Sequence, residues 1–165
     1  MELEDFFNVE ESRVLNGLYL ILILKNLERG TIEQLATSLY LYRFPYVAEK
    51  LMSHKDQIEF LKLFSYAELN NLDTMLYPFL IEKYNDRFIN SFKELLAREL
   101  VEVKGDYIIL KRGLEYEELW SMEDIVQIDR QLFYIAKLIK ITNNNELKKK
   151  IEEIVGEQHW RTHSL

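Results

Sequence analysis

Residues 85–113, NDRFINSFKELLARELVEVKGDYIILKRG, change their hydrophobic period part-way along, and that change decides the fold. Phe88, Ile89, Phe92, Leu95, Leu96 and Leu100 recur at helical spacing, so one side of a helix carries a continuous apolar stripe. Asn85 or Asp86 can cap its first turn by accepting a backbone N–H. From Val101 the period drops to two. Val101 and Val103 alternate with Glu102 and Lys104, Gly105-Asp106 makes a two-residue turn, and Ile108 and Leu110 follow on alternate positions. A primed turn there predicts Val103 opposite Ile108 and Val101 opposite Leu110, all on one face, with Gly105 in a backbone conformation that larger residues resist. A helix running into a short hairpin, both apolar faces inward, is the second half of a winged helix. That is architecture alone, because winged helices serve many functions.

Outward from this stretch, the N-terminal side supplies the matching first half. Asn8 with Glu11 fits a capping box, and Val14, Leu15, Leu18, Ile21 and Leu22 predict a helix reaching roughly Arg29, with Gly30 as its stop. Residues 18–24, LYLILIL, are apolar on every side, which predicts a helix buried all round at the centre of the domain. Thr31 and Gln34 form a second capping box, opening TIEQLATSLYLY. Pro45 should push Phe44 out of the α region and break the helix there, with Ala48, Leu51 and Met52 marking its brief resumption. Residues 53–84 then read as a helical insertion between the second and third helices of the winged helix. Ile58, Leu61, Phe64 and Leu69 fit one helix, and residues 76–84 fit another. On the C-terminal side, Ser121 with Asp124 caps a long helix bearing Ile125, Ile128, Leu132, Phe133, Ala136 and Ile139. Asn143-Asn144-Asn145 breaks it, and a short last helix places Leu147, Ile151, Ile154 and Val155 on one side, before a frayed end, GEQHWRTHSL. The expectation is one mainly α domain over residues 1–165. It has a winged-helix-like core at about 9–113, an insertion at about 53–84, one β-hairpin wing and C-terminal helices at about 121–155.

Composition narrows the function. Hydrophobic residues make up 48% and aromatics 13% of 165 residues, enough for a substantial core with apolar surface left for a partner. The absence of cysteine excludes disulfides, thiol catalysis and thiolate metal sites. The longest strongly apolar run falls far short of the ~20 residues that cross a bilayer, and the N-terminus MELEDFFNVEES is acidic with no signal-peptide pattern. A cytoplasmic protein that avoids membranes is the simplest account. The net charge of −7 argues against a free-standing DNA binder, whose affinity rests on phosphate neutralisation.

Chemistry-bearing motifs are sparse. His159 and His163 stand four apart, as metal ligands do on a helix, but no Glu completes an HExxH pattern and Gly156 undercuts the helix. His54 reads as a solvated loop residue. Acidic pairs such as Glu10-Glu11, Glu117-Glu118 and Glu152-Glu153 are adjacent in sequence and diverge on a helix. With no phosphate loop and no nucleophile elbow, no catalytic, cofactor or metal residue is assigned, and the expectation is a non-enzyme without a cofactor. For DNA, the third helix offers Arg87, Asn90, Ser91, Lys93 and Arg98, countered by Glu94 and Glu99. The wing offers Lys104, Lys111 and Arg112, countered by Glu102, Asp106 and Glu115. Weak, non-specific phosphate contact through Lys104, Lys111 and Arg112 is the expectation. The densest candidate protein interface is Tyr40, Tyr42, Arg43, Phe44 and Tyr46, since tyrosine and arginine are enriched at interface anchors. Core packing is the competing reading of the same rings. The long helix over 121–141 likewise suits either its own core or a partner.

The order of these elements, with LYLYRFPYVAEKL and DRFINSFKELLARELVEVKGDYIILKRGLEYEEL as its two most telling stretches, resembles the small middle component of bacterial ABC-three-component systems. That group includes the small subunit of Lamassu-type anti-phage systems. The resemblance covers roughly residues 12–141 and includes no catalytic motif. It implies a non-enzymatic subunit that bridges an SMC-like ATPase and an effector, often a nuclease. The alternative is a winged-helix transcriptional regulator dimerising through residues 121–141.

Overall fold

Ser12 starts the first helix, because its Oγ accepts the Leu15 N–H at 3.2 Å and leaves Arg13 free to enter the first turn. It does so in a computed structural model that describes residues 12–70, 86–111 and 117–163, the side chains of Glu117 and of residues 157–163 excepted. Helix α1 (Arg13–Leu27) is followed by α2 (Ile32–Arg43), α3 (Pro45–Leu51), α4 (His54–Leu61) and α5 (Tyr66–Leu69). Helix α6 covers 86–97. Then come strands β1 (Val101–Lys104) and β2 (Tyr107–Leu110), and helices α7 (Glu117–Trp120), α8 (Glu123–Ile141) and α9 (Asn144–His163). The described chain is mainly helical with one antiparallel hairpin.

The centre of the molecule is α1. Leu20, Ile21, Leu22, Ile23 and Leu24 are all at most 6% exposed, so the apolar run is buried all round from residue 20, with Leu18 and Tyr19 half-buried before it. Helix α8 lies along α1 and α2, contributing Ile125, Leu132, Ile135, Ala136, Leu138 and Ile139 to the core. Polar side chains hold the two helices in register. Lys25 Nζ meets Asp129 Oδ2 at 2.5 Å, and Asn26 Nδ2 donates to Asp129 Oδ1 at 2.8 Å. The Thr31–Gln34 capping box forms as expected, and Pro45 breaks the chain at Phe44 and then sits at the first turn of α3.

The hairpin keeps the expected register, Val101 opposite Leu110 and Val103 opposite Ile108, and Gly105 takes φ +62° at its tip. Gly30 exchanges both backbone hydrogen bonds with Ile108, at 2.8 and 3.1 Å, which ties the α1–α2 junction to β2. This corrects the reading of Gly30 as the stop of the first helix, which ends at Leu27 with Glu28 as its C-cap. The positive φ belongs to Glu28, and Gly30 is small because a Cβ there would stand 3.1 Å from Leu35 Cδ2. The hairpin is also less inward than expected. Val101 and Ile108 are buried, but Val103 is 57% exposed, since it lies on the outer strand β1 while Ile108 opposite it on β2 is covered by Gly30 and α1.

Other boundaries moved for identifiable reasons. Asn8 lies outside the described residues, as does the helix expected over 76–84. Val14, assigned to the apolar stripe, is exposed, since α1 leaves the core at its first turn. His54 is exposed but begins α4, whose cap is Ser53, rather than sitting in a loop. In α4 the buried anchor is Phe60, packed at 4.8 Å on Phe64, while Ile58 is 44% exposed. Ser121 does not cap α8. Its Oγ donates to the Glu118 carbonyl and closes α7, leaving Met122 at the cap without a side-chain bond. Helix α9 continues through Gly156 to His163, well beyond the expected end.

Candidate interaction surfaces

The helical period separates the aromatic run that sequence alone joins. Residues 40 and 42 lie about 200° apart around α2. Tyr40 turns towards α6 and α9, its ring 4.9 Å from that of Phe44, whereas Tyr42 turns towards α1 and packs 4.7 Å from Tyr19. Burial raises the Tyr42 hydroxyl well above the ordinary tyrosine value, reinforced by its hydrogen bond with Tyr19, so the pair stays neutral. Phe44 is fully buried and leaves the interface set, because the break at Pro45 points its ring into the core rather than outward. Tyr46 is half-buried with the Lys50 ammonium 4.8 Å from its ring, and Arg43 is half-exposed at the end of α2. Thus Tyr40, Tyr42, Arg43 and Tyr46 stay partly accessible but form no single patch.

A groove gathers around Tyr40 instead. It encloses about 530 Å³ between α2, α6 and α9. Ile32, Ala36, Tyr40, Phe88, Ile89 and Ile151 line it, with Glu33, Lys148 and Glu152 among its polar groups. Lys148 Nζ lies 3.5 Å from Glu33, and Asn144 Nδ2 donates to the same carboxylate. Ile32 is 53% and Ile89 44% exposed, so the groove opens onto apolar side chains rather than a titratable constellation. Sequence reasoning missed it, because the three contributing helices are far apart in the chain and none carries a motif.

The groove runs into the outer face of α6. Phe88, Ser91 and Leu95 point inward, and Ile89, Lys93 and Leu96 point outward. Arg87, counted as a DNA contact, is only 7% exposed, and Ser91 is buried with its hydroxyl donating to the Arg87 carbonyl. Both therefore leave the DNA set. Three of the remaining cations of helix and hairpin sit beside acids: Arg98 Nε lies 2.7 Å from Glu94, Lys111 3.3 Å from Glu99, and Lys104 3.6 Å from Glu102, while Lys93 is exposed and makes no ion pair among the described residues. Arg112 lies outside the described residues. Beyond Lys93, local pairing of this kind leaves little uncompensated charge for phosphate.

No group of three or more His, Asp or Glu side chains with metal-binding geometry occurs among the described residues. His159 and His163 both fall on α9, and their side chains lie outside the described set. Among the described residues no helix is long and apolar enough to cross a membrane. Comparison with protein families, with curated proteins and with solved structures finds no match to this chain.

Proposed function

We propose that this chain is a winged-helix-like, non-enzymatic accessory subunit that bridges an SMC-like ABC ATPase and an effector in a bacterial anti-phage defence complex. The observation that carries the adaptor reading is the outer face of α6. The helix that a DNA-binding winged helix would offer to the major groove here presents Ile89 and Leu96, 44% and 40% exposed, beside an apolar groove. Arg98 and Lys111 beside it are paired with Glu94 and Glu99, which leaves Lys93 as the exposed cation of that face. Apolar surface of that kind is recovered by burial against protein, since base edges and phosphates offer it nothing comparable.

The winged-helix reading is supported by the Gly30–Ile108 bridge. It adds a one-residue strand between α1 and α2 beside the hairpin, giving the order helix, short strand, helix, insertion, helix, hairpin. The resemblance of residues 12–141 to the small component of ABC-three-component systems supports the identity of the partners. The acidic balance of −7 suits a subunit that works by protein contact.

Two inexpensive observations test this. An SMC-like ATPase gene beside this one is the expected neighbourhood. A salt titration with duplex DNA should show weak binding without sequence preference. Tight binding to one operator-like site at physiological salt would replace the adaptor with the transcriptional regulator.

A further inference from the structure

Strand β1 leaves one edge open. In an antiparallel pair, opposed residues alternate between those that exchange both backbone hydrogen bonds and those that exchange none. Ile108 spends its N–H and its C=O on Gly30, at 2.8 and 3.1 Å, so Val103 opposite it belongs to a pair without hydrogen bonds. The Lys111 N–H on the Leu100 carbonyl, at 3.0 Å, fixes the same alternation from the other end. Leu100, Glu102 and Lys104 therefore turn their backbone groups to β2, and Val101 and Val103 turn theirs away. Among the described residues β1 has no strand neighbour on that outer side. Val103 is also 57% exposed, and the tip beyond it stands in open space, since a Cβ on Gly105 would meet nothing within 4 Å. An apolar residue with outward backbone groups on a sheet edge is a template for another strand.

The side chains decide which strand fits. If a second copy of the same edge pairs antiparallel, outward residues must face outward residues, so the two-fold axis falls on one of four positions. On Val101, it runs Val103 onto Glu99, whose φ of +56° ends the extended chain. On Glu102, it sets glutamate against glutamate. On Lys104, it sets lysine against lysine and Glu102 against Asp106. On Val103, it sets valine against valine and Glu102 against Lys104 twice over, in the more closely spaced type of pair. Asp106 then faces Leu100, Val101 faces Gly105, and no like charges meet. Within one chain Glu102 and Lys104 make only a loose contact, at 3.6 Å and largely in solvent, which each can exchange for one across the axis.

We infer that β1 pairs antiparallel with β1 of a second copy of this chain, about a two-fold axis through Val103, joining the two hairpins into one sheet. Two backbone hydrogen bonds between the Val103 residues, their apposed side chains and two Glu102–Lys104 pairs hold it. An edge of four residues buries less than the ~1,200 Å² of a stable interface, so the dimer is weak and concentration-dependent. This surface shares no residue with the α2–α6–α9 groove or the outer face of α6, and the inference does not rest on the adaptor reading.

Sedimentation velocity on the full chain over a rising concentration series tests it, and should show a monomer–dimer equilibrium. Glu102→Lys alone and Lys104→Glu alone each place like charges across the axis. Each should weaken the dimer about tenfold, with an unchanged melting temperature in dilute solution. Mixing the two variants should restore association as a heterodimer, because each strand then meets the opposite sign along its length. Val103→Pro removes the N–H on the axis, spares the ladder to β2, and should abolish the dimer in a folded protein. A wild type that stays monomeric up to the concentrations used for NMR overturns the inference. So does a dimer that survives Val103→Pro, or a pair of charge variants that fail to rescue each other.

Discussion

Glu99 occupies φ +56°, a backbone region that costs a residue with a Cβ about 1 kcal/mol. It does so because the end of α6 demands it. The Leu100 N–H reaches back to the Leu95 carbonyl and the Glu99 N–H to that of Leu96, both at 3.0 Å, which satisfies the last carbonyls and turns the chain into β1. Glu99→Gly is therefore expected to stabilise the protein by about 0.5–1 kcal/mol, read as a higher denaturant midpoint at constant slope. The exposed pair with Lys111 that it removes contributes little against this. Phe44 makes the opposite case. It is fully buried, and Phe44→Ala should cost roughly 3–5 kcal/mol, whereas Arg43→Ala, at a half-exposed position, should leave the melting temperature nearly unchanged. Asp56 gives a third handle. The Lys137 ammonium bonded to it holds its carboxyl below the ordinary value. A depressed folded value stabilises the native state above the unfolded value near pH ~4 and loses that contribution as pH falls through the lower folded value. Lys137→Gln should raise the Asp56 titration towards the ordinary range in a carboxyl-detected NMR experiment. An unmoved titration would mean that the pair does not persist in solution.

Among the elements, the hairpin and the capped helices were legible because their signals are local. A period of two around Gly-Asp fixes register, and Thr31 with Gln34 fixes a start, before any tertiary contact is known. The ends that moved were those where tertiary packing outweighs local preference. Gly156 reads as a helix end, yet α9 runs through it, held by buried Leu147 and half-buried Ile151, Ile154 and Val155 against the core. A glycine inside a helix costs roughly 1 kcal/mol relative to alanine, and a Cβ at 156 meets nothing within 4 Å. Gly156→Ala should thus stabilise α9 by about that amount, and a loss of stability would contradict a helix that runs through residue 156. The long helix α8 was legible as a helix, but its stripe was read one residue too wide. Phe133 and Leu132 are neighbours in sequence and lie 100° apart on the surface, so only the path of α1 and α2 decides which is buried. The same ambiguity exchanged Ile58 for Phe60 in α4.

For the whole molecule, sequence carried the mainly helical architecture and much less of the surface. The aromatic run looked like one patch because sequence lists side chains without direction. The fold sends Tyr40 into a groove, Tyr42 against Tyr19 and Phe44 into the core. The groove itself joins residues 32–40, 88–89 and 148–152, and no local pattern predicts that meeting. The adaptor account places binding on the face shared by that groove and α6. Its central claim is tested most directly by co-purification from cells expressing the tagged chain with the proteins encoded beside it. Wild type should retain the SMC-like ATPase, and Ile89→Glu/Leu96→Glu should lose it while keeping its melting temperature. Undiminished capture by the folded double variant, or no capture by wild type together with tight binding to one duplex DNA site, would contradict the account.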